Sequence, residues 1–148
     1  MIALACDHGG FRLKEDIANH LKEKGIDFYD YGTYDESSVD YPSVVARPCK
    51  DIEDGKASCG IFICGTGVGI SIAANKHKGI RAACVTESFS AALAREHNDA
   101  NVLCLGGRIL QGEYAFSIVD TFLSTEFSYG ERHINRINLI TKIEEDQI

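Results

Sequence analysis

The sequence predicts an α/β fold: a doubly wound, five-stranded parallel sheet with helices on both faces. Two observations predict it. Short apolar runs alternate with longer amphipathic segments from end to end, and each run is four to six residues bounded by Gly, Asp or Asn. Polar and glycine-rich groups gather directly after those runs, where an open parallel sheet places its ligands.

The first run, residues 2–6, is followed by "FRLKEDIANHLKEKG", in which Leu13, Ile17, Ala18 and Leu21 share one helical face. Gly25 is placed to end that helix. Further strands are expected at residues 26–31, 60–64, 81–85 and 102–105. Helices are expected at about 42–54, 68–77, 87–97 and 111–125. No internal repeat, linker or low-complexity stretch interrupts the pattern, so residues 1–148 read as one domain. The last segment, "RHINRINLITKIEEDQI", carries an apolar stripe of Ile134, Ile137, Leu139, Ile140 and Ile143 with no strand after it. Such a helix either completes its own domain or reaches across to a partner subunit.

Composition narrows the function. Fifteen Lys and Arg against 22 Asp and Glu give a net charge of −7, which argues against nucleic acid as the main partner. No apolar run approaches the roughly 20 residues needed to span a membrane. The start, "MIALACDHGG", lacks a basic n-region and reads as a first strand, not a signal peptide. Cys6, Cys64, Cys84 and Cys104 sit in or at the end of strand-like runs, where a free thiol behaves as a small hydrophobe. No Cys-x-x-Cys pair exists. A reduced, cytoplasmic protein is expected.

The chemistry concentrates at "ICGTGVGISIAANK". A dinucleotide fingerprint would need a glycine at Ile70, although Glu87 does fall about 20 residues on, where a ribose-binding acid would stand. The other possibility is an anion nest. Successive glycines turn backbone N–H groups inward at a helix N-terminus, and a thiol just before them feels the same positive field. Helix N-termini lower cysteine pKa values from about 8.5 into the range of roughly 3.5–7.5. Cys64 is therefore either a nucleophile or base, or simply the last core residue of a buried strand. His8, beside Asp7 at the end of the first strand, stands at the favoured crevice. His97, followed by Asn98 and Asp99 in "REHNDAN", leads into the fifth strand. Asp7, His8 and His97 could supply metal ligands in principle, but they form no dense cluster, and no metal is expected. His20 and His77 fall in helical segments and read as solvated faces. Arg132 and Arg136 are four apart on the last helix, and two guanidinium forks side by side suit a phosphate. Together these groups suggest a small phosphorylated substrate and proton transfer.

The motifs "ACDHGG", "DYP", "ICGTGVGISIAANK", "GIRAA", "REHNDANVL" and "GERHINR" occur in order over nearly the whole chain, which resembles the ribose-5-phosphate isomerase B family, with its galactose-6-phosphate isomerase relatives. The resemblance implies a Rossmann-like three-layer α/β/α sandwich, a homodimer or tetramer, and no cofactor. It implies an aldose–ketose isomerase that interconverts ribose 5-phosphate and ribulose 5-phosphate through an enediol, with six-carbon sugar phosphates as the alternative substrates. It makes Cys64 the base, His97 the acid that opens the furanose ring, and Thr66 with the backbone of residues 65–69 (Gly65, Gly67, Val68, Gly69) the cradle for the enediolate oxygen. Asp7, His8, Asn98, Arg108, Arg132 and Arg136 would bind substrate, the arginines mainly its phosphate, and Tyr41 would line the sugar site. It also implies that each site is shared between subunits, with the terminal helix packing at the interface. Some relatives use a glutamate within the glycine loop; here that position is Ile70, as in the cysteine branch. Relatives often carry a glycine pair where this chain has Gly130 and Glu131.

Overall fold

Five parallel strands form one sheet in the order β2-β1-β3-β5-β4 in the computed structural model, which describes residues 1–148. They are β1 (Ile2–Cys6), β2 (Phe28–Asp30), β3 (Cys59–Cys64), β4 (Ala82–Cys84) and β5 (Val102–Gly106). A single 3₁₀ turn (His8–Gly10) leads into α1 (Phe11–Glu23), followed along the chain by α2 (Tyr41–Glu53), α3 (Val68–Ala74), α4 (Ser88–Glu96), α5 (Gly112–Ser124) and α6 (Glu131–Glu144).

Strand alternation divides the core in two. Ile2, Leu4, Ile61, Ile63, Leu103 and Leu105 point to one face and meet α1, α4 and α5 through Ile17, Leu21, Ala91, Ile118 and Phe122. Ala3, Ala5, Phe62, Cys64, Val102 and Cys104 point to the other and meet α2 and α3 through Val45, Cys49, Ile70 and Ala74. The three-layer sandwich is therefore the observed architecture, and Cys64 faces the α2–α3 layer.

The strand differences from expectation fall at the sheet edges. The predicted strands 26–31 and 81–85 shorten to Phe28–Asp30 and Ala82–Cys84, because both lie at a sheet edge and pair on one side only. The helix expected over 68–77 stops at Ala74. Asn75 turns away to receive the N–H of Ala82 (2.8 Å) and to donate to its carbonyl (2.9 Å). His77 consequently sits half-buried in the following turn, not on a helix. Nor is His20 a solvated face. Its ring stacks on Phe116 (centroids 4.4 Å, 8° apart) and Nε2 bonds Asp120 at 2.8 Å, joining α1 to α5. Lys14 also lies on the apolar face of α1 and is fully buried.

No residue of α6 is buried. Ile134, Leu139, Ile140 and Ile143 remain 39–60% exposed, so the stripe finds no complete cover within the protomer.

Candidate active site

The sheet order makes the β1–β3 gap the place where the chain reverses its direction of winding, and ligands bind at such a switch point beyond the carboxyl ends of the strands. A cleft of about 340 Å³ opens there. Its floor is built by the residues that follow β1 and β3: Asp7, His8, Cys64, Gly65 and Thr66. Arg108, from the turn after β5, closes one side, and Ser38, Val39, Asp40 and Tyr41 close the other.

Each group has a local reason for its position. Asp7 caps the 3₁₀ turn: its Oδ1 accepts from the N–H groups of Gly9 (2.8 Å) and Gly10 (3.2 Å). That leaves Oδ2 to take a hydroxyl. His8 Nδ1 accepts from the N–H of Val39 at 3.3 Å. A neutral imidazole bonded in this way carries its proton on Nε2, so His8 offers the cleft a donor.

Cys64 ends β3 and is 5% exposed. The N–H of Gly67 donates to its Sγ at 3.1 Å. That geometry depends on Gly67 itself, whose φ is 81°, in the left-handed region that favours glycine. A side chain there would also meet the Leu105 carbonyl carbon and the Cys84 sulfur, both at 2.9 Å. Thr66 Oγ1 accepts from the N–H of Val68 (3.3 Å), and α3 begins immediately after. The loop thus aims one backbone donor, the Gly67 N–H, at the thiol, with Val68 and Thr66 exposed at its rim.

Two glycines are spaces for neighbours. A Cβ on Gly65 would lie 2.7 Å from the Arg108 guanidinium, and one on Gly69 would lie 2.8 Å from the Tyr41 ring. Bare backbone lets Arg108 and Tyr41 lean over the loop. Glu87 has a local role as well: both its carboxylate oxygens accept from the N–H of Ser90 (2.9 and 3.0 Å), capping α4. That engagement removes the acid a dinucleotide fingerprint would require.

The remaining predicted residues lie elsewhere in the protomer. His97 caps the C-terminal end of α4, and Asn98 follows it into the turn before β5. In a parallel sheet this is the amino end of the strands, whereas Cys64 stands at the carboxyl end. The five residues of β5 separate the two ends by roughly 16 Å at about 3.3 Å per residue. Arg132 and Arg136 join His97, not Cys64. The His97 and His133 rings are 4.3 Å apart, and the Ser128 N–H donates to the Glu96 carbonyl at 3.0 Å, docking the start of α6 on the end of α4. Both arginines are exposed. So Asp7, His8, Tyr41, Cys64, Gly65, Thr66, Gly67, Val68, Gly69 and Arg108 form one cluster, and His97, Asn98, Arg132 and Arg136 form a second at the opposite end of the sheet.

The second cluster has its own supports, drawn from the motifs "GIRAA" and "REHNDANVL". Arg81 Nε donates to the carbonyls of Asn98 (3.1 Å) and Asp99 (3.0 Å), and Arg95 Nη1 donates to Asp99 Oδ1 (2.8 Å). These bonds hold Asp99 at φ 44° and fix the turn behind His97. Glu131 falls in the first turn of α6, where a carboxylate favours the helix dipole, so replacing a glycine there suits the helix start. Ser38, Val39 and Asp40 were missed as cleft residues. Their signal was available in Asp40-Tyr41-Pro42, an N-cap followed by proline in the first turn of α2.

A family model described as Ribose/Galactose Isomerase matches residues 2–140. The chain belongs to this family. Among members of the ribose/galactose isomerase family, ribose-5-phosphate isomerase B of Escherichia coli (strain K12) is 47% identical over 144 residues, covering 97% of this chain and 96% of that protein. Solved structures agree in fold. Ribose-5-phosphate isomerase B of Clostridium thermocellum superposes with a TM-score of 0.95 at 48% identity, covering 99% of both chains. The Thermotoga maritima enzyme gives 0.93 at 52% identity, covering 95% of this chain and 97% of that one. Family membership makes the protein an aldose–ketose isomerase, and the cleft at Cys64 is the place where its fold puts ligands.

Proposed function

We propose that this protein interconverts D-ribose 5-phosphate and D-ribulose 5-phosphate through an enediolate, with Cys64 as the base. The observation that carries this reading is the Cys64 thiol at the floor of the switch-point cleft, with the Gly67 N–H aimed at it and the nest of residues 65–69 around it. In the open-chain aldose, Cys64 removes the proton from C2. The electron pair moves toward the aldehyde, and charge collects on its oxygen. Backbone donors of residues 65–69, with the Thr66 hydroxyl, stabilise that oxygen. Returning the proton to C1, with transfer of the hydroxyl proton of C2 to O1, gives the ketose. General base catalysis contributes about 10²–10⁴-fold and an oxyanion donor about 10²–10³. Asp7 Oδ2 and His8 Nε2 hold hydroxyls, and Tyr41 lines the sugar.

His97, as the acid that opens the furanose ring, and Arg132 with Arg136, as the phosphate grip, reach this cleft from a neighbouring subunit. Two findings support that arrangement: these residues lie at the far end of their own sheet, and the apolar stripe of α6 has no cover within the protomer. A homodimer or larger assembly with shared sites satisfies both. The six free cysteines suit the reducing cytoplasm.

The test is formation of ketopentose phosphate from ribose 5-phosphate by the purified protein in EDTA without added cofactor. Turnover establishes the substrate and excludes an essential chelatable metal. A folded protein that is inactive on ribose 5-phosphate but active on allose or galactose 6-phosphate would replace the pentose with a hexose.

A further inference from the structure

Lys14 is the largest charged group in the interior, and the chemistry above does not use it. It sits in the first turn of α1 with its side chain fully buried. Its Nζ donates to Asp30 Oδ2 at 2.6 Å and to the Thr33 carbonyl at 2.9 Å. The rings of Phe11 and Tyr34 flank it at 5.5 and 5.1 Å. A buried ammonium is costly unless its donors are matched, and breaking one partner of such a pair is strongly unfavourable. Glu15 Oε1, 3.2 Å from Nζ, is the third oxygen partner of Lys14. Burial pushes the Lys14 ammonium toward losing its proton, but the Asp30 carboxylate, helped by Glu15, outweighs this and leaves its pKa above the ordinary lysine value.

What it holds is the root of the cleft wall. Asp30 ends β2, and its second oxygen accepts from the Gly32 N–H (2.8 Å). Thr33, gripped by Lys14 through its carbonyl, donates its own N–H to the carbonyl of Cys6 at 2.7 Å, one residue before Asp7. From this anchor residues 34–40 run to α2, carrying Ser38, Asp40 and Tyr41 into the cleft. The other ties along this run lie nearer the surface: the Tyr34 hydroxyl donates to the Asp30 carbonyl at 2.9 Å, Arg12 forms an exposed two-pronged ion pair with Glu36 (2.7 and 3.3 Å), and the Val39 N–H donates to His8 at 3.3 Å.

We propose that Lys14 is a positioning residue for the substrate, setting through Thr33 and Asp30 where Asp40 and Tyr41 stand relative to Cys64. The inference rests on reading that cleft as the sugar-phosphate site. The test is Lys14→Met, kept similar in length and assayed well below its melting temperature. Orientation errors of about an ångström cost up to roughly 10²-fold, so kcat/KM should fall about ten- to a hundredfold, mainly through KM. A folded Lys14→Met enzyme with normal KM and kcat overturns the proposal, whatever its thermal stability. If that variant does not fold, Asp30→Asn decides: its amide still accepts from Gly32 but holds the ammonium weakly, so a raised KM supports the role and a normal KM overturns it. Should the wild-type protein itself fail to isomerise ribose 5-phosphate, amide hydrogen exchange answers separately. Lys14→Met must then speed exchange at Ser37 and Val39 while β1 and β3 stay protected, and unchanged exchange there overturns the placement.

Discussion

Cys64 owes its surroundings to its neighbours on both sides in the chain. Packing of β3 under the α2–α3 layer leaves Cys64 5% exposed, and the left-handed Gly67 after it turns an N–H onto its sulfur. Cys64→Ala removes the proposed base, so turnover should fall by about 10²–10⁴-fold while substrate binding stays measurable by calorimetry. A near-normal rate would sink the assignment. Gly69 acts by having no side chain. A methyl group there meets the Tyr41 ring at 2.8 Å, so Gly69→Ala should displace the ring and raise KM roughly tenfold with a smaller change in kcat. Steady-state kinetics with folded protein decides, and an unchanged KM would mean that Tyr41 does not bound the sugar. Both residues stood out in the sequence because a nest needs glycines at fixed spacing. Their separate reasons did not, since Tyr41 and Gly69 are 28 positions apart and meet only in the fold.

Among the elements, α6 is the one whose surroundings a single protomer leaves unfinished. Its stripe was legible as periodicity, but whether the stripe would be covered from within was not. The structure answers that no residue of the helix is buried. If Arg132 and Arg136 serve the neighbour's cleft, activity can be rebuilt from two defective proteins. The Arg132→Ala/Arg136→Ala double variant should show KM raised by roughly 10- to 100-fold, from the loss of charged hydrogen bonds. Mixing it with Cys64→Ala after dissociation and reassembly should restore about a quarter of the wild-type rate at low substrate, because half the pairs are mixed and half their sites intact. No recovery in a mixed dimer would place the arginines in the same subunit's site. The edge elements β2 and β4 were predicted too long for a related reason: sequence pattern shows apolarity, whereas ladder length depends on having a partner on each side.

Across the whole molecule, buried thiols set a limit on alkaline stability. Burial pushes Cys6 and Cys49 up to about 12, and burial with a hydrogen bond to Asp51 pushes Tyr31 up to about 12. These are raised pKa values of groups that are neutral when protonated, so the folded state keeps protons that the unfolded chain gives up near pH 9 for the thiols and pH 10 for the phenol. The stabilisation is complete below pH 9 and is lost as pH climbs toward about 12. Urea midpoints should therefore fall above pH 9, and Cys49→Ala should flatten the decline. A midpoint independent of pH in that window would show that the thiols are not held protonated.

The sequence by itself determined the alternation of strand and helix, the faces of α1, the glycine nest behind Cys64 and the family, because each is written in neighbouring residues or short motifs. Tertiary structure alone decided three things: that Lys14 is buried, that His20 bridges two helices, and that the predicted site residues divide between opposite ends of one sheet. Each depends on which strand lies beside which, and on contacts between residues far apart in the chain. Local spacing can name candidate groups, but only the packed sheet sets the distance between Cys64 and His97.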